Sequence, residues 1–403
     1  MKSGETGDSV EGAAARSVNP YETLPSKAFW SPAVAKRNMF DIAELWAPKF
    51  RIDPKMPVAT FGSCFAQHIG RALKERGFHW MIAEQRPYRM SDVSAKKFNY
   101  GVFSARTGNI YTASLLKQWV SWALGASAPE EIWEKDGRFY DPFRPNIEPN
   151  GFASAEELRK SRDMALQAFR RTLTDSRVFV FTLGLTESWF NEAHGYEYPM
   201  CPGTVAGEFN PAVHKFVNQE YSFIRTTLAE TIKTIKSVNP RIKIILTVSP
   251  VPLTATMSGN HVLVATMESK SILRAVAGSV SRRYAFVDYF PSYEIINATP
   301  YRGAFFEPNA RSVNHVGVAH VMNMFFNCLR EAFPGIDATA SADAKAKGKT
   351  GRKSAAASGA KSPEATAGDA GTQGLPAPRE VGGEAKSRSD IVCEEELLNA
   401  FAR

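Results

Sequence analysis

Long apolar runs are absent from this 403-residue chain: no stretch approaches the roughly 18 consecutive apolar residues that a membrane-spanning helix needs. We therefore expect no membrane span. Residues 1–17 also lack the apolar core of a secretory signal, so nothing in the sequence calls for export. Together these two absences favour a cytoplasmic location.

Cysteine is scarce as well. The four cysteines are widely spaced and contain no C-x-x-C pair: Cys64, Cys201, Cys328 and Cys393. This pattern excludes a disulfide framework and a zinc ribbon, and it suits a reducing compartment. No other spacing of His, Cys, Asp or Glu suggests a metal site, so we expect neither a metal nor an organic cofactor.

The charge is unevenly distributed. Lys and Arg number 49 against 41 Asp and Glu, which gives a net charge of +8. From Ile336 to the end there are ten basic and ten acidic residues, so the excess belongs to the preceding part. A local basic run lies between Lys345 and Lys361, but no aromatic residue is interleaved to stack on bases. We interpret it as a solvated segment and do not expect nucleic-acid binding.

Both ends of the chain are poor in large apolar side chains. Residues 1–18 and 337–390 cannot offset the entropy of ordering, and we predict both to be disordered, the second as a low-complexity linker. Residues 391–403 combine apolar and acidic residues in a pattern typical of a short amphipathic helix. This segment docks on a protein partner, or it simply frays.

Between the ends, residues 40–335 alternate β-rich runs with helical periodicity. Strands are predicted at 57–62, 177–183, 243–248 and 284–289, and helices near 65–76, 154–175, 221–238, 267–281 and 316–333. The stretch after the second strand is predicted to be irregular. This alternation indicates an α/β fold with a mostly parallel sheet covered on both faces. Ligands bind such sheets outside the carboxyl ends of the strands.

Ser63 follows the first strand in the run Thr60-Phe61-Gly62-Ser63-Cys64. A serine at a strand-to-helix turn places its hydroxyl at a helix N-terminus, where free N–H groups stabilise a developing oxyanion. The alternative is an ordinary N-cap serine. Cys64 is a second nucleophile candidate, because a helix N-terminus lowers thiol pKa, or it is a small buried hydrophobe.

The second strand is followed by Thr186 and Glu187, which would reach the same rim of the sheet. Thr186 could bind an oxyanion or substrate, and Glu187 could orient a base or a hydroxylated ligand. Both could instead serve as a turn cap and an exposed charge. Trp189 is more often a core residue than a platform for a sugar.

A serine nucleophile normally needs a histidine as general base. Of the seven histidines, only His315 lies in the loop after the final predicted strand, immediately before the last predicted helix. A lone histidine is also commonly structural or solvent-facing.

Several motifs, in order along the chain, resemble one known family. The run Thr60–Ala66 contains the letters GSCFA, and further matching segments are NYGVFS with GNIYT, TLGLTESW, CPGT, TVSPVPLTAT and DYFPSYE. They resemble the GSCFA domain family, which is grouped with the SGNH or GDSL-like hydrolases. The resemblance covers roughly residues 40–330, and both ends of the chain lie outside it.

The resemblance implies a three-layer, flavodoxin-like α/β/α sandwich and a serine that cleaves or transfers acyl esters. It makes Ser63 the nucleophile, with Gly62 and the Ser63 N–H contributing to the oxyanion hole. Thr186 and Glu187 fall where related hydrolases carry Gly-x-Asn-Asp, so the usual asparagine donor is replaced. Asn109 is the substitute that we assign.

The last block departs from the family pattern. SGNH enzymes carry Asp-x-x-His before the final helix, and the best register here puts Asn309 and Ser312 at those positions. Neither residue can act as the acid or the base. A shift of three residues lets His315 take over, oriented by Glu307 or Glu187, and both registers stay open.

Two hypotheses follow. The first is a serine esterase or O-acyltransferase that acts on an O-acylated carbohydrate or related polyol through Ser63 and His315. The second is a catalytically impaired relative that binds glycans or assists polysaccharide biosynthesis, with Trp189, Tyr196 and Tyr198 lining a sugar cleft.

Overall fold

The computed structural model describes residues 19–336 and 391–402. The two segments predicted to be disordered, 1–18 and 337–390, lie outside the described residues, as does Arg403.

The described residues form nine strands and eight α-helices, which we number in chain order. The strands are β1 Val58–Gly62, β2 Trp133–Lys135, β3 Arg138–Tyr140, β4 Val178–Leu183, β5 Glu187–Asn191, β6 Tyr196–Tyr198, β7 His214–Asn218, β8 Lys243–Val248 and β9 Val287–Tyr289. The helices are α1 Phe65–Glu75, α2 Asp92–Lys97, α3 Ala113–Ala123, α4 Ala155–Asp175, α5 Tyr221–Val238, α6 Val262–Arg283, α7 Ser292–Asn297 and α8 His315–Ala332.

The central sheet contains four parallel strands in the order β1-β4-β8-β9. A single parallel bridge from Val58 to Trp80 adds a fifth position outside β1. There, the Val58 N–H donates to the His79 carbonyl at 2.9 Å, and the Met81 N–H donates to the Val58 carbonyl at 2.8 Å. The resulting order, with the second segment outside the first, is that of a flavodoxin-like sheet. The predicted parallel α/β fold is confirmed.

Alternate side chains of the strands divide between two cores, as the two-residue period of a strand requires. Phe61, Phe181 and Leu246 face one core, which α3, α4, α5 and α6 complete. Val180 and Ile245 face the other, which is completed by α1, α7 and α8. Helices therefore cover both faces, and the three-layer α/β/α arrangement is confirmed.

The stretch after β4 is more regular than the sequence indicates. Strands β5, β6 and β7 form a small antiparallel sheet in the order β6-β5-β7. The signal is weak because the strands are only three to five residues long. Aromatic cross-strand neighbours stabilise them: the Trp189 and Phe216 rings meet edge to face at 5.7 Å.

The C-terminal segment, residues 391–402, is the one for which the sequence pattern predicts a short amphipathic helix. It forms a 3-10 helix over Glu394–Phe401 and contacts the α/β domain of its own chain. Within the described ranges, no helix is both long enough and apolar enough to cross a bilayer.

One buried acid connects the small sheet to α3. Glu197 in β6 accepts a hydrogen bond from the Thr112 hydroxyl, while its Oε2 has no partner among the described residues. Burial raises the pKa of Glu197 to about 7, although Ser114 and Thr112 partly oppose the shift. In the unfolded chain the pKa of a glutamate is about 4.3.

The Glu197 pKa predicts a pH-dependent stability. Because the folded pKa is the higher one, the stabilising effect is complete below about pH 4 and is lost as pH rises through about 7. The loss amounts to about 4 kcal/mol. We expect Glu197→Gln to match the wild type in urea denaturation at pH 5 and to exceed it at pH 8.5. Equal stability at both pH values would contradict this assignment.

Candidate active site

Ser63 lies at the tight turn between β1 and α1. Gly62 before it has φ +125°, and a Cβ at this position would lie 2.2 Å from the Thr182 carbonyl oxygen, so only glycine fits. The Ser63 side chain is buried, and its hydroxyl makes no hydrogen bond within the described residues. It therefore does not cap α1, and the structure does not support the N-cap interpretation of Ser63.

The Ser63 N–H donates to the Thr182 carbonyl at 3.0 Å. The family resemblance implies that this N–H contributes to an oxyanion hole, but in this conformation it is engaged between β1 and β4. Any oxyanion stabilisation in this conformation has to come from other donors.

A loop around Asn109 is fixed beside Ser63, at the carboxyl ends of β1 and β4. The Ile110 N–H donates to the Gly62 carbonyl at 2.9 Å, and the Gly184 N–H donates to the Tyr111 carbonyl at 2.8 Å. The loop is thereby hydrogen-bonded to both strands, and Asn109 is buried. Its side-chain oxygen accepts from Gln67 Nε2 in α1 at 3.2 Å. The structure thus brings Asn109 to the same strand ends as Ser63.

Thr186 and Glu187 are engaged elsewhere. The Thr186 hydroxyl donates to Asn218 Oδ1 at 2.7 Å and is fully buried, so it joins β5 to β7. Glu187 accepts from the Thr256 hydroxyl, and burial raises its pKa. Glu187 lines an apolar cavity of about 450 Å³ rather than the one beside α1. Neither residue contacts Ser63 through a hydrogen bond in the described structure.

His315 is the first residue of α8 and is exposed. It lines a cavity of about 510 Å³ between α1 and α8, together with Cys64 and Glu307. Two acids, Glu307 and Glu187, are predicted to orient His315. Only Glu307 lines the same cavity as His315. No hydrogen bond between His315 and Ser63 is present in the described residues.

Asn309 and Ser312 form a self-contained turn. The Asn309 side chain donates to the Ser312 hydroxyl at 2.9 Å and accepts from the Ser312 N–H at 2.9 Å. These hydrogen bonds stabilise the loop before α8, and the two side chains supply neither an acid nor a base.

Cys64 is poorly suited to form a thiolate here. A side-chain hydrogen bond with Cys393 and burial both raise the pKa of the Cys64 thiol well above its usual range. His68 lines the same cavity, and burial lowers its pKa to about 4, so it is neutral near pH 7. The environment disfavours Cys64 as the nucleophile.

Two cations of the site were not predicted from the sequence. Lys270 in α6 is buried and donates to the Gly184 carbonyl at 2.7 Å, and burial lowers its pKa to about 8. Arg311, beside the Asn309 turn, contacts Glu395 at 3.5 Å. The available signal for Lys270 was its position within the apolar stripe of α6, between Thr266 and Leu273, where a lysine is unusual.

The C-terminal segment occupies this site. Its Val392 carbonyl accepts from Asn109 Nδ2 at 3.0 Å, and Glu394 accepts from the Tyr111 hydroxyl at 2.8 Å. Cys393 lines the cavity that His315 lines. The sequence predicts no contact between this segment and the site, because an amphipathic pattern does not specify the surface to which a segment binds.

The three aromatic residues assigned to a sugar cleft do not line one common cavity. Trp189 lines the apolar cavity near Glu187, together with Phe209 and Phe216. The hydroxyls of Tyr196 and Tyr198 both bond to Glu131 instead. Within the described ranges, no cluster of three or more His, Cys, Asp or Glu side chains is arranged to hold a metal ion.

The fold and this site together define a class of protein: a flavodoxin-like α/β/α domain with a buried serine at the first strand-to-helix turn and amide donors beside it. A model of the GSCFA family matches residues 57–325, well over half of the chain. The chain therefore belongs to the GSCFA family. No curated protein matches it.

Proposed function

We propose that this protein is a serine esterase or O-acyltransferase of the SGNH type that acts on an O-acylated carbohydrate or related polyol. The observation that carries the proposal is the Ser63 hydroxyl, buried at the carboxyl end of β1 without a hydrogen bond among the described residues. A buried polar atom without a partner is costly and requires an explanation, of which a catalytic role is one. The Asn109 amide is held at the same strand ends.

In the proposed reaction, Ser63 Oγ attacks the ester carbonyl carbon and its proton passes to His315. The tetrahedral oxyanion is stabilised by the Asn109 amide. Collapse expels the alcohol, which takes the proton from His315 and leaves an acyl group on Ser63. Water or a sugar hydroxyl then accepts the acyl group, with His315 as the base again. Because His315 is not bonded to Ser63 here, the cleft must rearrange before the attack.

The test is intact-mass labelling of the full chain with a broad fluorophosphonate. We expect one adduct on wild type, located at Ser63, and at least a tenfold slower reaction for His315→Ala. His79→Ala is the control, because His79 is exposed and lies at the amino end of β1. If His315→Ala is labelled at the wild-type rate, that result would contradict the role of His315 as the base.

The second candidate is a glycan-binding protein without turnover. It is favoured by the Asn309 and Ser312 turn, which replaces the acid and the base of the SGNH pattern. The Trp189 cavity supports it too, because aromatic faces stack on sugars. Saturable glycan binding with no fluorophosphonate adduct would favour this candidate.

A further inference from the structure

Two glutamates of the C-terminal segment are buried in the candidate active site. Glu394 and Glu395 are 5% and 8% exposed, whereas the side chain of the neighbouring Glu396 is 51% exposed. Carboxylates are almost never buried unless they are paired. The cleft must therefore provide partners for both.

Glu394 is bound by the loop beside Ser63. Its carboxylate accepts from the Asn109 side-chain amide, from the Tyr111 hydroxyl at 2.8 Å, and from the Asn109 N–H at 3.4 Å. It also lies against Gly108, where a Cβ would come within 3.2 Å of Glu394 Oε1. Several donors converging on one carboxylate form a specific anion pocket.

Glu395 is bound by charge. Burial raises the pKa of Glu395, and the Arg311 guanidinium, 3.5 Å from its carboxylate, and the buried ammonium of Lys270 oppose that shift. The Arg311 guanidinium further contacts Glu396 at 3.4 Å and Cys393 Sγ at 3.8 Å. Within the described residues, the partners of the Arg311 side-chain nitrogens therefore all belong to the C-terminal segment. Without the segment, Lys270 and Arg311 would lose Glu395, the carboxylate that attracts both of them.

The backbone of the segment is recognised as well. Gln67 Nε2 donates to the Val392 carbonyl at 2.7 Å, and the Val392 N–H donates to Gln67 Oε1 at 3.0 Å. This reciprocal pair fixes the position of the chain just before the two buried glutamates.

The cleft and its occupant come from different parts of the chain. The pocket residues lie within the family match of 57–325, and the segment begins at residue 391, outside it. They are Gln67, Asn109, Tyr111, Lys270 and Arg311. The pocket is therefore part of the family domain, whereas the segment is an additional ligand supplied by the same chain.

We propose that this cleft is a carboxylate-binding site, that the substrate carries a free carboxylate near its ester, and that the C-terminal segment is an internal ligand that competes with it. The substrate part of this inference rests on the proposed function. The binding part does not, because it depends on the pocket and the segment alone. A tethered ligand competes at a high effective concentration, so release of the segment would control access to Ser63.

The first experiment measures release of the segment in the full chain. We compare wild type with Glu394→Gln/Glu395→Gln, and we follow alkylation of Cys64 by iodoacetamide with peptide mass mapping. Cys64 is the readout because its thiol is covered by Cys393. We expect at least a tenfold faster reaction in the double variant, and less than a twofold change in the control Asn399→Ala, at an exposed position of the same segment. An unchanged Cys64 rate in the double variant would overturn the role of the carboxylates.

The second experiment measures the site directly. A fluorescent peptide with the sequence of residues 391–402 is titrated into the double variant. We expect saturable binding, at least tenfold weaker for a peptide with Gln at both glutamate positions, and competition by glutarate but not by glutaramide. Equal affinity of the two peptides would overturn the carboxylate site. Binding that appears only between copies, with dimers in wild type, would overturn the intramolecular arrangement.

The third experiment tests the substrate class. It also distinguishes a substrate with its carboxylate on the acyl side of the ester from one with its carboxylate on the alcohol side. One pair of esters is mono-p-nitrophenyl glutarate and p-nitrophenyl butyrate, with the charge on the acyl side. The other is O-acetylated galacturonate and O-acetylated galactose, with the charge on the alcohol side. We expect at least a tenfold preference in kcat/KM within one pair, which Arg311→Gln abolishes. No preference in either pair, with measurable turnover, would overturn the substrate class.

The failures of the two proposals remain distinguishable. If the peptide binds but no ester is cleaved and Ser63 forms no adduct in the double variant, the proposed function fails and the carboxylate site stands. If Ser63 reacts at equal rates in wild type and the double variant, the segment does not compete with the substrate, and the esterase assignment stands.

Discussion

Ser63→Ala is expected to lower ester turnover by at least about 10³-fold, the scale typical of losing a serine nucleophile. The fold should survive the change. The Ser63 hydroxyl makes no hydrogen bond in the described residues, so alanine leaves no partner unsatisfied, and the Ser63 N–H can still donate to Thr182. Steady-state hydrolysis of a p-nitrophenyl ester and a thermal melt, both on the full chain, test the two parts.

Cys64→Ala is the comparison that separates the two nucleophile candidates. The high pKa of the Cys64 thiol, caused by its hydrogen bond with Cys393 and by burial, predicts that this variant keeps ester turnover. Turnover that survives Ser63→Ala and disappears in Cys64→Ala would reverse the assignment.

Asp141→Ala is expected to cause the largest loss of stability. Asp141 is completely buried and is paired with Arg144 at 2.8 Å and Arg162 at 3.0 Å. Although burial raises its pKa, the two guanidinium groups outweigh that effect, so the pKa of Asp141 is lowered. Removing the carboxylate leaves two cations without their shared counterion. Breaking a buried pair in this way costs about 3–5 kcal/mol.

Urea denaturation at pH 7 measures the effect of Asp141→Ala. Glu156→Ala is the matched control, because Glu156 forms an ion pair with Lys160 on the surface of α4 and should contribute little. The lowered pKa of Asp141 also sets the pH dependence: its stabilisation is present above the ordinary carboxyl pKa and is lost as pH falls from there through the lowered folded-state pKa. A similar loss of stability in both variants would contradict the importance of burial.

The strands of the main sheet and the position of Ser63 could be predicted from sequence because local signals agree there. Four apolar runs have the length and composition of buried strands, and Gly62 before Ser63 marks a tight turn. Helix α3 was missed, although Thr112 caps it through its side chain. The small sheet of β5, β6 and β7 was missed because its short strands are stabilised mainly by contacts between them.

The site was predicted only in part because its components are distant in sequence. Ser63 and Asn109 were found through local motifs. Lys270 and Arg311 join them only when α6 and the loop before α8 pack at the same end of the sheet. Glu394 is buried against Asn109, which lies 285 residues earlier in the chain. The periodicity of a sequence does not encode a contact over that distance. Thr186 was placed at the rim by its position after β4, but its bond to Asn218 connects it to β7.

The ends of the central sheet have a consequence for how copies of this chain behave in concentrated solution. One edge of the sheet is formed by the single bridge at Trp80. The other edge is β9, which has three residues. Pro291 follows shortly after β9 and cannot donate a backbone hydrogen bond. Short edge strands offer little template for strand pairing between molecules. We therefore expect little pairing between copies through these two edges, even though the strands between them are strongly apolar.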